Sequence, residues 1–174
     1  MDTQDTKGTK VIPVVASISF VVLGLFVYQW WSSPERTIKN RLRDLAQTLS
    51  VPDNAGDLGR LTRLTQLRHY LAEDVHVRAR ASGPEITSRD VLLGMIAGWT
   101  PPPGGWTIEF VDVQVTLGQE STIAQAYLTV KVSGHDVRTG EPTVDAREAN
   151  LRLVKRDGDW LVTNVDGAET LTKP

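Results

Sequence analysis

Between Lys10 and Glu35 the chain carries no charged side chain, and residues 11–31, VIPVVASISFVVLGLFVYQWW, are apolar almost throughout. A helix rises about 1.5 Å per residue, so about 20 such residues reach across the hydrocarbon core of a bilayer. The run predicts a membrane-spanning helix, and whatever follows it is confined to a membrane surface. Two other readings fit less well. A cleaved signal peptide has an apolar core of roughly 7–15 residues followed by small side chains, whereas this run is longer and leaves through Tyr28, Trp30 and Trp31. A buried helix of a soluble core seldom lacks charge over such a length. The three aromatic rings sit where amphipathic groups settle at headgroup level.

Residues 1–10 are polar and are expected to be disordered. Lys7 and Lys10 flank the apolar run on one side, and Arg36, Lys39, Arg41 and Arg43 follow on the other, so a literal count places the later residues in the cytoplasm. Those four cations belong to an amphipathic helix of a long segment, however, and long segments translocate largely regardless of charge. A signal anchor of a bacterial inner membrane, single-pass and with a periplasmic domain, is therefore expected.

With 174 residues, the part beyond the anchor suffices for one domain. A hydrophobic content of 40% and a charged content of 23% are those of a folded domain. The net charge of −2 mixes both signs along the chain, which excludes a basic field for nucleic acid. Zero cysteines exclude a disulfide framework, a thiolate nucleophile and a cysteine zinc site.

Ser33-Pro34-Glu35 is a helix start, with Ser in the cap position, Pro first in the helix and Glu near its positive end. Ile38, Leu42, Leu45 and Leu49 recur at helical spacing until Val51-Pro52. A second helix is predicted with Asp57 as its cap and Leu61, Leu64, Leu67 and Leu71 on one stripe. Residues 74–80 alternate as a half-buried strand, with Val75, Val77 and Ala79 on one face. Thr87-Ser88-Arg89-Asp90 reads as a capping box before a third helix carrying Val91, Leu92, Met95, Ile96 and Trp99, which TPPPGG then stops. WTIEFVDVQVTL, STIAQAYLTVKV, TVDAREANLRLV and DWLVTNVDGAETL read as four strands, the last two joined by the hairpin signal Asp157-Gly158. An antiparallel sheet must cover its apolar face with the preceding helices, which makes the class α+β.

Helices in the hollow of a curved sheet, with the ending LRLVKRDGDWLVTNVDGAETL, resemble the nuclear transport factor 2 superfamily, the cone-shaped fold of ketosteroid isomerases and polyketide cyclases. The resemblance spans residues 33–174. The Asp157-Gly158 turn and Trp160 match best, and Trp160 is expected in the core. It implies a pocket between helices and sheet, where the enzymes hold Asp, Tyr or His, and it implies dimers formed through the sheet face. The first helix here has no tyrosine, and neither Asp112 nor Asp145 can be assigned as a catalytic carboxylate.

Asp145 and Arg147 alternate in phase with Ala149, Leu151 and Leu153, so they share a face with an apolar stripe. They are candidates for binding a carboxylate or phosphate, or for a structural ion pair at a strand end. Trp99 and Trp106 flank the Pro/Gly segment as a candidate interaction surface or as rings closing one end of the core. His69, His76 and His135 read as surface residues, and no histidine pair has metal-ligand spacing. No catalytic residue, metal site or cofactor is expected. The function expected is a non-catalytic accessory or protein-interaction module at the membrane surface, whose partner is a membrane complex or a second copy. The alternative is a cone that binds or processes a small apolar molecule such as a lipid or polyketide.

Overall fold

The computed structural model describes residues 33–53, 56–78, 83–99, 103–136 and 138–167. The predicted membrane span at 11–31 and the polar stretch before it lie outside them, and among the described residues no helix is long and apolar enough to cross a membrane. The chain divides into two units, and residues 38–174 form the one that carries the fold.

Helix α1, Pro34–Leu49, starts where the Ser-Pro pair predicts, with the Ser33 carbonyl accepting the N–H groups of Arg36 and Thr37 at 3.0 and 3.2 Å. Ile38, Leu42, Leu45 and Ala46 form its buried stripe, and burying each of the large side chains contributes about 2 kcal/mol. Helix α2, Asp57–Arg68, has Gly56 rather than Asp57 in the cap position. The extended backbone of Gly56 lets its carbonyl take the Arg60 N–H at 3.1 Å, so Asp57 is already helical. The expected leucine stripe is cut short. Leu67 is buried and Leu64 half-buried, but Leu61 faces solvent and Leu71 belongs to the next strand.

Strand β1, Leu71–Arg78, begins earlier than its alternation suggests because the Val162 N–H bonds to the Tyr70 carbonyl at 2.8 Å and starts a pairing there. Val75 is buried and Val77 half-buried, while Ala79 and Arg80 lie outside the described residues. A two-residue strand, β2 (Glu85–Ile86), pairs antiparallel with it. Helix α3, Arg89–Gly98, follows Ser88, whose side chain makes no cap bond; Asp90 pairs with Arg68 instead. Its buried residue is Leu93, with Leu92 and Ile96 half-buried and Val91, Met95 and Trp99 exposed.

Strands β3 (Trp106–Leu117), β4 (Ile123–His135), β5 (Pro142–Arg156) and β6 (Asp159–Gly167) complete a six-stranded sheet ordered β2-β1-β6-β5-β4-β3. The sheet is mixed rather than antiparallel throughout, since β1 and β6 run parallel. Strands joined by hairpins must alternate in direction, but β1 reaches β6 through α3 and the other strands, so no tight turn dictates their sense. Side chains interlock on the helix-covered face: Ala124 lies opposite Leu153, Ala126 opposite Leu151 and Leu128 opposite Ala149. Small residues thus face large ones, so the side chains of the two neighbouring strands interdigitate on that face. Trp160 and Val162 of β6 and Val75 of β1 close the same core. At the β5–β6 turn both Asp157 and Gly158 have positive φ, 52° and 92°, as the two-residue hairpin requires.

Arg156 ties the end of β5 to β1 through two bonds to the Asp74 carboxylate, at 2.9 and 3.1 Å. This pairing holds the Asp74 pKa below its ordinary value of 3.8. A depressed folded-state pKa stabilises the fold above the unfolded value, and the contribution disappears as pH falls through the folded one. Asp74→Asn is therefore expected to be slightly less stable than the parent at neutral pH and indistinguishable from it in strong acid. Denaturant midpoints measured from pH 7 down to about pH 2 check this; a difference that persists in strong acid contradicts it. The effect is small because both groups are solvent-exposed.

Candidate functional site

The WTPPPGGW stretch acquires its geometry from the end of α1. Val51 and Trp106 form an antiparallel bridge, exchanging N–H to O bonds of 2.8 and 2.9 Å, and the Trp106 indole N–H donates to the Leu49 carbonyl at 2.9 Å. The Ser50 hydroxyl donates to the Ala46 carbonyl and accepts the Ile108 N–H, so the helix end and the start of β3 share one small network. Gly104 and Gly105 are both left-handed, with φ of 87° and 65°. The Gly104 N–H reaches the Asp53 carboxylate at 2.7 Å.

This pinning brings Trp99 and Trp106 together, with ring centroids 4.5 Å apart and planes tilted by 31°. Their environments differ. Trp106 is half-buried, whereas Trp99 is 60% exposed and lies over it. Beneath the pair is an apolar cavity of about 110 Å³, walled by Leu49, Leu64, Leu67, Ile96 and Ile108 among others. Arg60 borders it and donates to the Ala97 and Trp99 carbonyls at 2.7 and 3.2 Å, satisfying the open end of α3. Arg63 borders it too and donates to the Ser50 carbonyl at 3.4 Å. Thr48 and Arg63 also line an open hollow of about 550 Å³ between α1 and α2, together with Arg41, Asp44, Gln66 and His69.

Asp145 and Arg147 are brought together elsewhere. Arg147 Nε lies 3.0 Å from Asp145 Oδ2, in the half of β5 that the helices leave uncovered, with side chains 53% and 62% exposed respectively. They form an ion pair. Arg147 edges a second hollow of about 670 Å³ with Val77, Ile86, Val91 and Met95. The two tryptophans and the charged pair belong to separate surroundings, since no residue lines both the cavity and this hollow.

No described residue with a polar or charged side chain is buried as a whole. The shifted titrations arise at the surface. The His76 ring and then Arg78 hold the Glu85 carboxyl below its ordinary range, and Arg68 does the same for Asp90. Asp136 is lowered by the backbone N–H groups of Thr139 and Arg138, and Tyr127 is raised by its bond to Glu148. Asp112 is exposed at a bulge of β3 with φ of 54°. His69 and His135 are exposed, and no metal-binding cluster is found among the described residues. Periodicity does not single out Arg60 or Arg63, which read as polar filler on α2. Only their positions, Arg60 four residues before Leu64 and Arg63 four before Leu67, hint that both reach the same edge as the core stripe.

No family model and no curated protein matches the chain. Solved structures do. The hub homology domain of CaMKII from Chlamydomonas reinhardtii is 12% identical with a TM-score of 0.61, covering 78% of this chain and 97% of that one. A candidate scytalone dehydratase from Novosphingobium aromaticivorans is 15% identical with a TM-score of 0.59, covering 77% and 83%. An NTF2-like protein of unknown function from Pseudomonas putida is 14% identical with a TM-score of 0.56, covering 77% and 84%. At such identities the likeness is one of architecture, and the three helices on a curved mixed sheet have an NTF2-like fold.

Proposed function

We propose that the chain is a membrane-anchored, non-catalytic accessory module, held by residues 11–31 in a bacterial inner membrane with its NTF2-like domain on the periplasmic side, where it docks a protein of a membrane complex. The names of its structural neighbours span a kinase hub, a dehydratase and a protein of unknown function, so the fold alone selects no activity. The observation that carries the reading is the outer surface of the two packed helices α2 and α3. Leu58 and Leu61 of α2, and Val91, Met95 and then Trp99 along and just after α3, all face solvent. Large apolar side chains gathered on neighbouring helices mark an interaction surface. A second copy is the partner in a variant of the same reading, which Ile123, Tyr127 and Val144 support by their exposure on the helix-free face of the sheet.

Two measurements test this. Alkaline phosphatase fused after residue 174 is expected to be active, and a dead phosphatase beside a fluorescent cytoplasmic reporter overturns the orientation. A photo-crosslinking residue at Met95, introduced in living cells, is expected to give one discrete protein adduct, while the same residue at Glu120 gives none. An adduct of twice the chain's mass from Tyr127 instead assigns the partner as a second copy. No adduct at either position removes the docking role.

A further inference from the structure

We propose that the cavity beneath Trp99 and Trp106 is a binding site for a small aromatic carboxylic acid, its ring in the cavity and its carboxylate on Arg63. The inference concerns the interior of the domain and does not depend on the docking role of its surface. Three observations carry it. The cavity is apolar, about 110 Å³ in volume and half open to the surface; an enclosed apolar cavity on the order of 150 Å³ admits benzene, so this smaller one takes a single ring only when the Trp99 side gives way, with the chain of the ligand directed outward. One wall is the Trp106 ring, held by the indole bond to the Leu49 carbonyl, and the neighbouring Trp99 ring is largely exposed, so it can move aside without breaking the core. A flat ligand gains an offset-stacking partner from this pair.

The third observation decides the polar end. Arg63 lines both the cavity and the open hollow between α1 and α2, so its guanidinium stands at the boundary of an apolar and a polar compartment. It makes a 3.4 Å bond to the Ser50 carbonyl, and no carboxylate within ion-pair distance of it is found among the described residues. Arg60, by contrast, is committed to the carbonyls at the end of α3. In the hollow, Arg41 is already taken up by Asp159 at 3.8 Å and by the His69 carbonyl, which leaves Arg63 as the cation there that can receive an anion. A planar guanidinium at such a boundary meets a carboxylate in bidentate fashion.

The test uses the full chain in lipid nanodiscs, labelled with 5-fluorotryptophan, with the Trp99 and Trp106 fluorine signals assigned by single Trp→Phe substitutions. Titration with 3-phenylpropionate is expected to shift those two signals saturably and to leave that of Trp160 in place. Arg63→Gln is expected to weaken binding at least tenfold, and 3-phenylpropanamide is expected to bind the parent protein no better than the acid binds that variant. Leu64→Phe fills the cavity and is expected to abolish the shifts while the thermal transition is kept; Ile96→Phe serves if the first variant does not fold. Shifts that survive a folded cavity-filled variant, or no saturable shift at millimolar acid, overturn the site. Equal binding of acid and amide, or of the parent and Arg63→Gln, overturns the ligand class.

Discussion

Replacing Trp160 by alanine is expected to lower the unfolding free energy by about 3–5 kcal/mol, the range for deleting a large buried ring. The residue is 2% exposed, and it sits in the core with Leu153 and Val162. Its place is set by the turn before it, because Asp157 and Gly158 return the chain so that Trp160 pairs with Lys155 of β5. The neighbouring strands cannot collapse into the space left behind without breaking that register, so most of the cavity should persist. Guanidinium unfolding of W160A, read as a midpoint shift at unchanged slope, measures the loss. Trp99→Ala makes the comparison, since a ring 60% exposed forfeits far less. Equal midpoints for W160A and the parent protein would show that the indole is not a core residue.

Much of this fold is legible in the order of the residues, and the reasons are local. Strand β3 has the bounds its alternation suggests, Trp106–Leu117, because one of its faces is packed and the other wet. The start of α1 at Pro34 follows from cap chemistry, and its stripe of Ile38, Leu42 and Leu45 from a helix with one clearly polar side. Helix α3 shows the opposite case. RDVLLGMIAG is apolar almost all round, so its composition cannot say which side turns inward; contact with α2 and β1 buries Leu93 and leaves Val91 and Met95 outside. The parallel pairing of β1 with β6 leaves no mark in the sequence either, because it joins residues about as far apart in the chain as Leu71 and Val162.

The candidate sites divide along the same line. Asp145 and Arg147 share a strand face by parity, and the 3.0 Å ion pair follows from that spacing of two. The meeting of Trp99 with Trp106 is suggested by the Pro/Gly hinge between them. The cavity below them requires four elements, α1, α2, α3 and β3, to be in place. Arg63 acquires significance only from that assembly. A guanidinium on a polar helix face is ordinary, whereas one at the rim of an apolar void and facing a polar hollow is positioned to select a ligand.

Gly105→Ala is expected to destabilise the domain by about 3–5 kcal/mol, although it adds a single methyl group. Two effects add. With φ of 65°, Gly105 holds a left-handed conformation that an L side chain adopts at a cost of about 1 kcal/mol. A Cβ there would also lie 2.0 Å from the Val51 carbonyl oxygen and 2.9 Å from the Pro52 carbonyl carbon. Both neighbours are backbone, so the turn cannot yield by rotating a side chain. The segment must move, and with it go the paired bonds between Val51 and Trp106 and the indole bond to Leu49, each contributing about 1 kcal/mol. Gly140→Ala separates the two effects, because that glycine shares the left-handed backbone at φ of 73° but has nothing within 4 Å of its added methyl. It should lose only about 1 kcal/mol. Unfolding midpoints of the two variants measured together decide the matter: equal losses would mean that the close approach of Gly105 to Val51 does not hold the Trp106 wall in place, and the cavity behind that wall would then have no fixed shape to offer a ligand.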